Sequence, residues 1–140
     1  MTQEDKVLLL KDLCARLPYG VKCAYFNTKD ELKVGELLTI WCQEKRVFID
    51  KLSIDYDGCD CVGVIPYLFP LSSMTEEQKQ EYTYIVNYIS PNDTENWKEG
   101  EFIYVEQFSQ LMHFYHINHL DYRGLIPMGL AIDATGLNIY

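Results

Sequence analysis

The sequence predicts a single α+β domain over residues 1–140, with an antiparallel sheet in the first half of the chain and helices in the second. Apolar residues follow helical spacing near the N-terminus, alternate with a period of two between about residues 20 and 69, and return to helical spacing after residue 75. Strands followed by helices are typical of α+β domains. A chain of 140 residues is also long enough to bury its own core.

The first helix is predicted from its boundaries. Thr2 can cap it, with Asp5 in the capping-box position three residues later. Pro18 ends it, because a proline disfavours the helical conformation in the residue before it. The spacing places four apolar residues on one helix face, namely Val7, Leu10, Cys14 and Leu17.

The alternating region predicts four strands, at residues 21–26, 36–43, 47–56 and 59–65. Asp57 and Gly58 predict a two-residue hairpin between the last two strands, because a type I′ turn needs positive φ at both central positions. Short links between the strands predict an antiparallel meander, with a small partial barrel as the alternative to an open sheet. Pro66 and Pro70 are expected to end the sheet.

Two helices and a short helical turn are then expected to pack on the sheet. Thr75 caps the second helix, with Gln78 in the capping-box position, and the third helix is predicted over 102–118. Asp121 is expected to cap the final turn. The predicted buried stripes are Tyr82, Ile85, Val86 and Ile89 in the second helix and Val105, Phe108, Met112 and Tyr115 in the third.

A net charge of −9 argues against ordinary nucleic-acid binding, since such a chain repels phosphate backbones. The three arginines, Arg16, Arg46 and Arg123, do not cluster in the sequence. Solubility is the simpler explanation of the acidity. The alternative is an acidic face that meets a basic partner or imitates nucleic acid.

The N-terminal residues, the lack of long apolar stretches and the cysteines together predict the cellular compartment. The first residues lack the basic start and apolar run of a signal peptide, and no stretch approaches the ~20 apolar residues of a membrane span. Five cysteines form an odd set, most simply free thiols in a reducing compartment. We therefore expect a cytoplasmic protein that does not span a membrane.

Three histidines near the end of the third predicted helix raise the question of a metal site. His113, His116 and His119 are spaced three apart, so the first and last diverge by about 120° around a helix. Neighbouring pairs could share an ion, with Asp121 as an oxygen ligand. The competing explanation is that histidines at a helix C-terminus complement the dipole and cap carbonyls.

The predicted Asp57-Gly58 hairpin would place Asp55 opposite Asp60, and like charges in that position destabilise a sheet. A longer or exposed loop is the favoured explanation, with a cation site as the alternative. Cys59 and Cys61 share a strand face, but a zinc centre would need a second pair, so both are interpreted as small buried residues.

Arg123 lies in an apolar stretch, within the sequence Asp-Tyr-Arg-Gly that begins at Asp121. A buried arginine must be paired, so Arg123 is predicted to bridge to a carboxylate and to clamp the C-terminal segment to the body of the protein. A role as a ligand anchor is the alternative.

Three segments, DLCARLPYGV at 12–21, PYLFPLSSMT at 66–75 and HLDYRGLI at 119–126, carry a resemblance. Together they resemble a group of small uncharacterised proteins of gut Bacteroidales-type bacteria and their phages and mobile elements. The resemblance implies a mobile-element or phage origin and supplies no activity, cofactor or site residue.

The sequence contains no complete catalytic set and no phosphate-binding glycine loop, so an enzyme is not the favoured interpretation and no cofactor is expected. We expect a protein-interaction module that binds an unidentified protein partner. Its candidate contact residues are aromatic, because aromatic side chains dominate binding hot spots, and they are Trp97, Tyr104, Tyr115 and Tyr140. The alternative is a metal-binding protein or metal-dependent enzyme built on His113, His116, His119 and Asp121. An open meander also leaves strand edges on which a homodimer could form.

Overall fold

A computed structural model describes residues 1–27, 29–41, 43, 46–50, 52–55, 64–87 and 97–140, of which 52–55 and 97–106 are described by their backbone. The helices are α1 (Gln3–Arg16), α2 (Glu76–Asn87) and α3 (Trp97–Ile117). The strands are β1 (Lys22–Phe26), β2 (Leu32–Trp41), β3 (Arg46–Ile49), β4 (Leu52–Asp55), β5 (Val64–Leu68) and β6 (Ile132–Asp133). Two 3₁₀ turns, Leu17–Tyr19 and Leu71–Ser73, follow α1 and β5.

The strands form one open sheet in the order β4-β3-β2-β1-β5-β6. Neighbours from β4 to β5 are antiparallel, and the short β6 is parallel to β5. The predicted α+β class is therefore confirmed, with an N-terminal helix, an antiparallel meander of β1 to β4 and helices after the sheet. The sheet is not closed into a barrel. In the described part of the chain, no helix combines the length and apolarity needed to cross a membrane.

The predicted strand 47–56 is divided into β3 and β4. Asp50 separates them with a φ of +51°, a left-handed conformation that aspartate adopts more readily than most residues. Its carboxylate Oδ1 accepts a hydrogen bond from the backbone N–H of Glu36, 2.9 Å away. The turn is thus held by a contact that alternation of apolar residues does not reveal.

The predicted last strand also pairs differently from the expected hairpin. β5 begins at Val64 and lies beside β1, where Pro66 stands opposite Cys23. The prediction that Pro66 ends the sheet is wrong, because the strand continues to Leu68. The Asp57-Gly58 hairpin lies outside the described residues, as do Asp60, Cys59 and Cys61.

Both predicted capping boxes are present. The Thr2 N–H donates to Asp5 Oδ2 at 2.8 Å, and the Asp5 N–H donates to Thr2 Oγ1 at 3.1 Å. The Thr75 N–H donates to Gln78 Oε1 at 2.9 Å, and the Gln78 N–H returns a bond to Thr75 Oγ1 at 3.2 Å. The helix α1 gives way to the 3₁₀ turn beside Pro18, as the proline predicts.

The main core lies between one face of the sheet, α1 and the segment 125–131. Leu9 and Leu13 supply the α1 contribution and are fully buried. Cys14, which was predicted to share the buried face, is exposed. The buried face of α1 consists of Leu9, Asp12, Leu13 and Arg16. Two of these are charged, so apolar spacing alone points to a neighbouring face.

A second core joins α2 to the end of α3, through Ile85, Phe114, Tyr115 and Leu120. The predicted stripes on these helices are partly wrong. Val86 is 40 % exposed and Phe108 is 63 % exposed. Burial on α3 instead falls on Gln107 and on 114–116. Ile89 and the side chain of Val105 lie outside the described part of the chain.

We predict that Gly35→Ala destabilises the protein by about 2 kcal/mol in urea unfolding, because small cores tolerate an added methyl poorly. A Cβ at this position would lie 2.5 Å from Ile49 Cγ2 and 2.9 Å from Tyr25 Cε1, both buried. The control is Gly136→Ala, where nothing lies within 4 Å of the new Cβ and the cost comes from the positive φ of +74°, about 1 kcal/mol. A smaller loss for Gly35→Ala than for Gly136→Ala would contradict the packing of β2 on β3.

Candidate functional site

A buried carboxylate on α1 joins two guanidinium groups. Asp12 and Arg16 are both fully buried, and Arg16 Nε donates to Asp12 Oδ2 at 2.6 Å. Arg123 Nε donates to the other oxygen, Asp12 Oδ1, at 3.1 Å, with 30 % of the Arg123 side chain exposed. The carboxylate that the sequence predicts for Arg123 is therefore Asp12. The contact ties the C-terminal segment to the first helix.

Backbone and ring atoms surround the guanidinium groups of this cluster. Arg16 Nη2 donates to the carbonyl of Leu120 at 2.8 Å. The ring of Tyr122 lies 5.4 Å from the Arg16 Cζ and 4.9 Å from the Arg123 Cζ, within the range of cation–π attraction. One carboxylate facing two guanidinium groups leaves one positive charge in excess, which the ring and the carbonyl help to accommodate.

Asp121 organises the turn that follows it. Its two carboxylate oxygens each accept a backbone hydrogen bond at 2.8 Å, from Leu125 and Ile126. Its own N–H donates to the carbonyl of Phe69 at 2.8 Å, beside the end of β5. Asp121 therefore fixes both the shape of the turn and its position against the sheet, and its oxygens are directed at backbone amides.

The three histidines have three separate partners. His113 Nδ1 lies 3.1 Å from the hydroxyl of Tyr19, and His116 Nε2 lies 2.9 Å from the hydroxyl of Tyr122. His119 follows the end of α3 with a φ of +52°, and its ring stacks on Tyr140 at 3.8 Å between centroids. Among the described residues, no three His, Cys, Asp or Glu side chains gather as a metal site would require. The structure thus does not bring His113, His116, His119 and Asp121 together.

The buried position and the nearby arginine charge change the pKa of the His116 and His119 imidazoles. Burial lowers the pKa of His116, and the nearby Arg16 lowers it further. Burial lowers the pKa of His119 to about 4, with smaller contributions from Arg16 and Lys22. His119 is therefore neutral near pH 7. Within the described part of the chain, His119 Nδ1 and Arg16 Nη1 are buried without a hydrogen-bond partner.

The predicted aromatic contact residues have different surroundings. Tyr115 lies in the second core and is 8 % exposed. Burial and, to a smaller extent, the neighbouring Tyr82 raise the pKa of the Tyr115 hydroxyl to about 12. Tyr115 is therefore a core residue, as the buried stripe predicted for the third helix indicates, and its ring offers little surface to a partner. Trp97 and Tyr104 lie in α3, and their side chains fall outside the described part of the chain.

Tyr140 is 43 % exposed, but its hydroxyl end is anchored. The hydroxyl donates to the carbonyl of Tyr67 at 2.6 Å and accepts from the backbone N–H of Lys22 at 3.0 Å. Burial raises the pKa of the Tyr140 hydroxyl well above its ordinary value. These two hydrogen bonds of Tyr140 therefore attach the C-terminal segment to β1 and β5, while its ring stacks on His119.

A groove of about 610 Å³ lies beside this cluster, between the 3₁₀ turn Leu17–Tyr19, α2 and α3. Ile85, Met112 and Phe114 supply apolar surface to the groove. Its volume is in the range of ligand and side-chain pockets. The groove is thus a concave surface with one apolar side, formed where two helices meet the end of α1.

Aromatic and polar groups complete the groove. Tyr19 and Tyr84 contribute rings, Glu81 contributes a carboxylate, and His113 contributes the imidazole that contacts the Tyr19 hydroxyl. Among the described residues that line it, Glu81 is the one acidic residue and none is lysine or arginine. The groove therefore combines ring faces with a negative charge.

The sheet face opposite α1, which we call the outer face, is apolar and partly uncovered. Ala24 and Phe26 stand opposite Val34 and Leu32, so these four side chains share that face. A bulge in β2 near Leu38 changes the register before Trp41, whose ring lies 5.1 Å from Phe48. The exposed members are Phe26 (53 %), Leu32 (58 %), Val34 (45 %), Leu38 (50 %) and Trp41 (47 %).

Sequence reasoning missed Asp12 and Arg16 as the partners that complete the cluster. The available signal was a pair of opposite charges four residues apart, at positions that share a helix face with Leu9 and Leu13. Such pairs usually lie on exposed helix faces, so their spacing does not identify them as buried. The outer face was missed because the sequence shows alternation without showing which side of the sheet is covered.

We predict that Asp12→Asn costs about 3 kcal/mol or more in urea unfolding, because it leaves two guanidinium groups without their carboxylate. Arg123→Gln, which removes a partly exposed partner and keeps the Asp12–Arg16 pair, is the matched comparison and should cost about 1 kcal/mol. Equal losses for the two variants would show that Asp12 does not hold both arginines.

We predict that the stability of the protein depends on pH through His119. Because the pKa of His119 is about 4 when folded and 6.5 ordinarily, the unfolded chain binds a proton in that window while the folded chain does not. The free energy of unfolding should therefore fall as the pH drops through this window. The stability advantage of the wild type over His119→Gln should shrink as the pH is lowered. His113→Gln, which leaves the buried imidazole in place, is the control. An advantage that does not change with pH would contradict the assignment.

Comparisons with family models, curated proteins and solved structures give no match to this chain.

Proposed function

We propose that this protein is a protein-interaction module that binds a partner protein through the outer face of its sheet. The observation that carries the proposal is the set of five large apolar side chains exposed there, Phe26, Leu32, Val34, Leu38 and Trp41. Single exposed apolar residues are ordinary, but adjacent ones mark interaction surfaces.

The backbone gives these side chains a common platform. Phe26 and Leu32 are directly opposed on β1 and β2, and Val34 is the next residue of β2 on the same face. The opposite face of the same strands packs against α1, so the platform is supported from behind by the main core. A rigid apolar surface loses little side-chain freedom on binding, which favours recognition.

Charge favours a different protein over a second copy as the occupant. Two copies would each carry −9 and repel one another as they approach. A partner with a basic surface around an apolar patch would be attracted by the same charge. The homodimer expected as an alternative from the sequence is an outcome that light scattering would detect.

The resemblance of three segments to small proteins of Bacteroidales-type bacteria and their mobile elements supports extending the proposal to a cytoplasmic protein of mobile-element or phage origin. The metal-dependent alternative has less support, because His113, His116, His119 and Asp121 are directed to separate partners.

We predict that the double variant Phe26→Ser, Leu32→Ser loses a partner that the wild type retains in affinity purification from the source cells. Both side chains are more than half exposed, so the change removes binding surface with little loss of folded stability. The measurement compares the proteins captured by wild type and variant, after circular dichroism has shown equal folding.

The control for this experiment is Met128→Ser, Leu71→Ser, which removes two apolar side chains of 47 % and 39 % exposure outside the sheet. The control should capture the same partner as the wild type. If all three forms capture the same proteins, or if the wild type is a stable dimer that the sheet variant makes monomeric, the outer face does not bind a different protein.

A further inference from the structure

We propose that the groove between α2, α3 and the end of α1 binds a cationic side chain, arginine or lysine, of a protein partner, with the Glu81 carboxylate and the rings of Tyr19 and Tyr84 as the recognising groups. This rests on the proposed function, because it assigns a second contact to the same class of partner. The groove lies apart from the outer face of the sheet, so the two contacts can be tested separately.

The shape of the groove suits a long side chain with a charged end. Its volume of about 610 Å³ exceeds what a single water needs, and Ile85, Met112 and Phe114 line part of it with apolar atoms. Arginine and lysine bury their methylene stems along apolar surface while the charged head stays with polar groups. The apolar and the polar residues of the lining therefore match the two ends of such a side chain.

Charge decides between a cationic and an anionic occupant. The one formal charge in the described lining is the Glu81 carboxylate, and the neighbouring Arg16 and Arg123 are bonded to Asp12, so the lining itself favours a cation over a phosphate or carboxylate. The faces of tyrosine rings carry negative potential and attract cations. The net charge of −9 also raises the local concentration of basic segments near the protein.

The groove lining also contains hydrogen-bond acceptors, which favour a guanidinium or ammonium group as the ligand. An arginine head has five N–H donors and no acceptor. Ser109 and Gln110 lie in the lining with Glu81, and their oxygens can accept hydrogen bonds. His113 Nδ1 lies 3.1 Å from the Tyr19 hydroxyl, and this contact holds the Tyr19 ring in the groove lining.

The test is a titration of the full chain with a tetra-arginine amide peptide, followed by NMR shifts of the groove residues and by calorimetry. Tetra-glutamine amide and tetra-glutamate serve as neutral and acidic probes. We expect the tetra-arginine peptide to shift His113 and Tyr84 resonances and to bind more tightly than either of the other peptides.

Two variants separate the groove from general acidity. Glu81→Gln should weaken tetra-arginine binding about fivefold, whereas Glu77→Gln removes the same charge from α2 outside the groove lining and should change it less than about twofold. Tyr84→Leu keeps an apolar side chain at a position 67 % exposed and should also weaken binding, because it removes the ring.

Equal effects of Glu81→Gln and Glu77→Gln would overturn the proposal, because the attraction would then be the overall charge. An absence of groove shifts, or tighter binding of tetra-glutamate, would overturn it as well. If the groove experiments fail in this way but the Phe26→Ser, Leu32→Ser variant still loses the natural partner, the groove assignment is wrong and the proposed function stands.

Discussion

The pairing of Asp12 with Arg16 and Arg123 is the interaction on which the rest of the structure depends. A buried carboxylate or guanidinium is strongly destabilising unless it is paired, so Asp12 and Arg16 can leave water only as a pair, to which Arg123 adds a partly exposed partner. Asp12 and Arg123 are 111 residues apart, and their contact fixes the path of the C-terminal segment over α1. The hydrogen bond from Arg16 to the Leu120 carbonyl holds the same segment three residues before Arg123.

Burial and the excess positive charge of this cluster both lower the pKa of the neighbouring histidines. Arg16 lowers the pKa of both His116 and His119, in addition to the larger effect of burial. Neutral imidazoles can stack and accept hydrogen bonds, as His119 does on Tyr140 and as the His116–Tyr122 contact allows. The end of α3 thus holds the C-terminal segment, and its residues His113 and His116 also line the groove that we propose as a contact in addition to the outer face.

Local features of the fold were predictable from the sequence, and non-local ones were not. The two capping boxes, the end of α1 at Pro18 and the antiparallel first half depend on residues within a few positions of one another. The pairing of β5 with β1 joins residues about 40 positions apart, and nothing in the alternation of residues 64–68 specifies that neighbour. The left-handed Asp50 similarly depends on its contact with Glu36.

The candidate site shows the same limit. The need of Arg123 for a carboxylate followed from its apolar surroundings, but Asp12 could not be chosen among 21 acidic residues without the fold. Phe108 was predicted to be buried with Tyr115 but is exposed, because burial on α3 is set by α2 and by the segment after the helix. The outer face is defined by the packing of α1 on the other side of the sheet, which joins residues distant in the sequence.

Native-state hydrogen exchange on Arg123→Gln tests the clamp most directly. Removing the guanidinium should lower the opening free energy of the Leu125, Ile126 and Leu130 amides by about 1 kcal/mol. Amides between β1 and β2 should keep their wild-type protection, because they are bonded within the sheet. Unchanged protection at residues 125–130, or an equal loss throughout the chain, would contradict the account that this ion pair holds the C-terminal segment on α1.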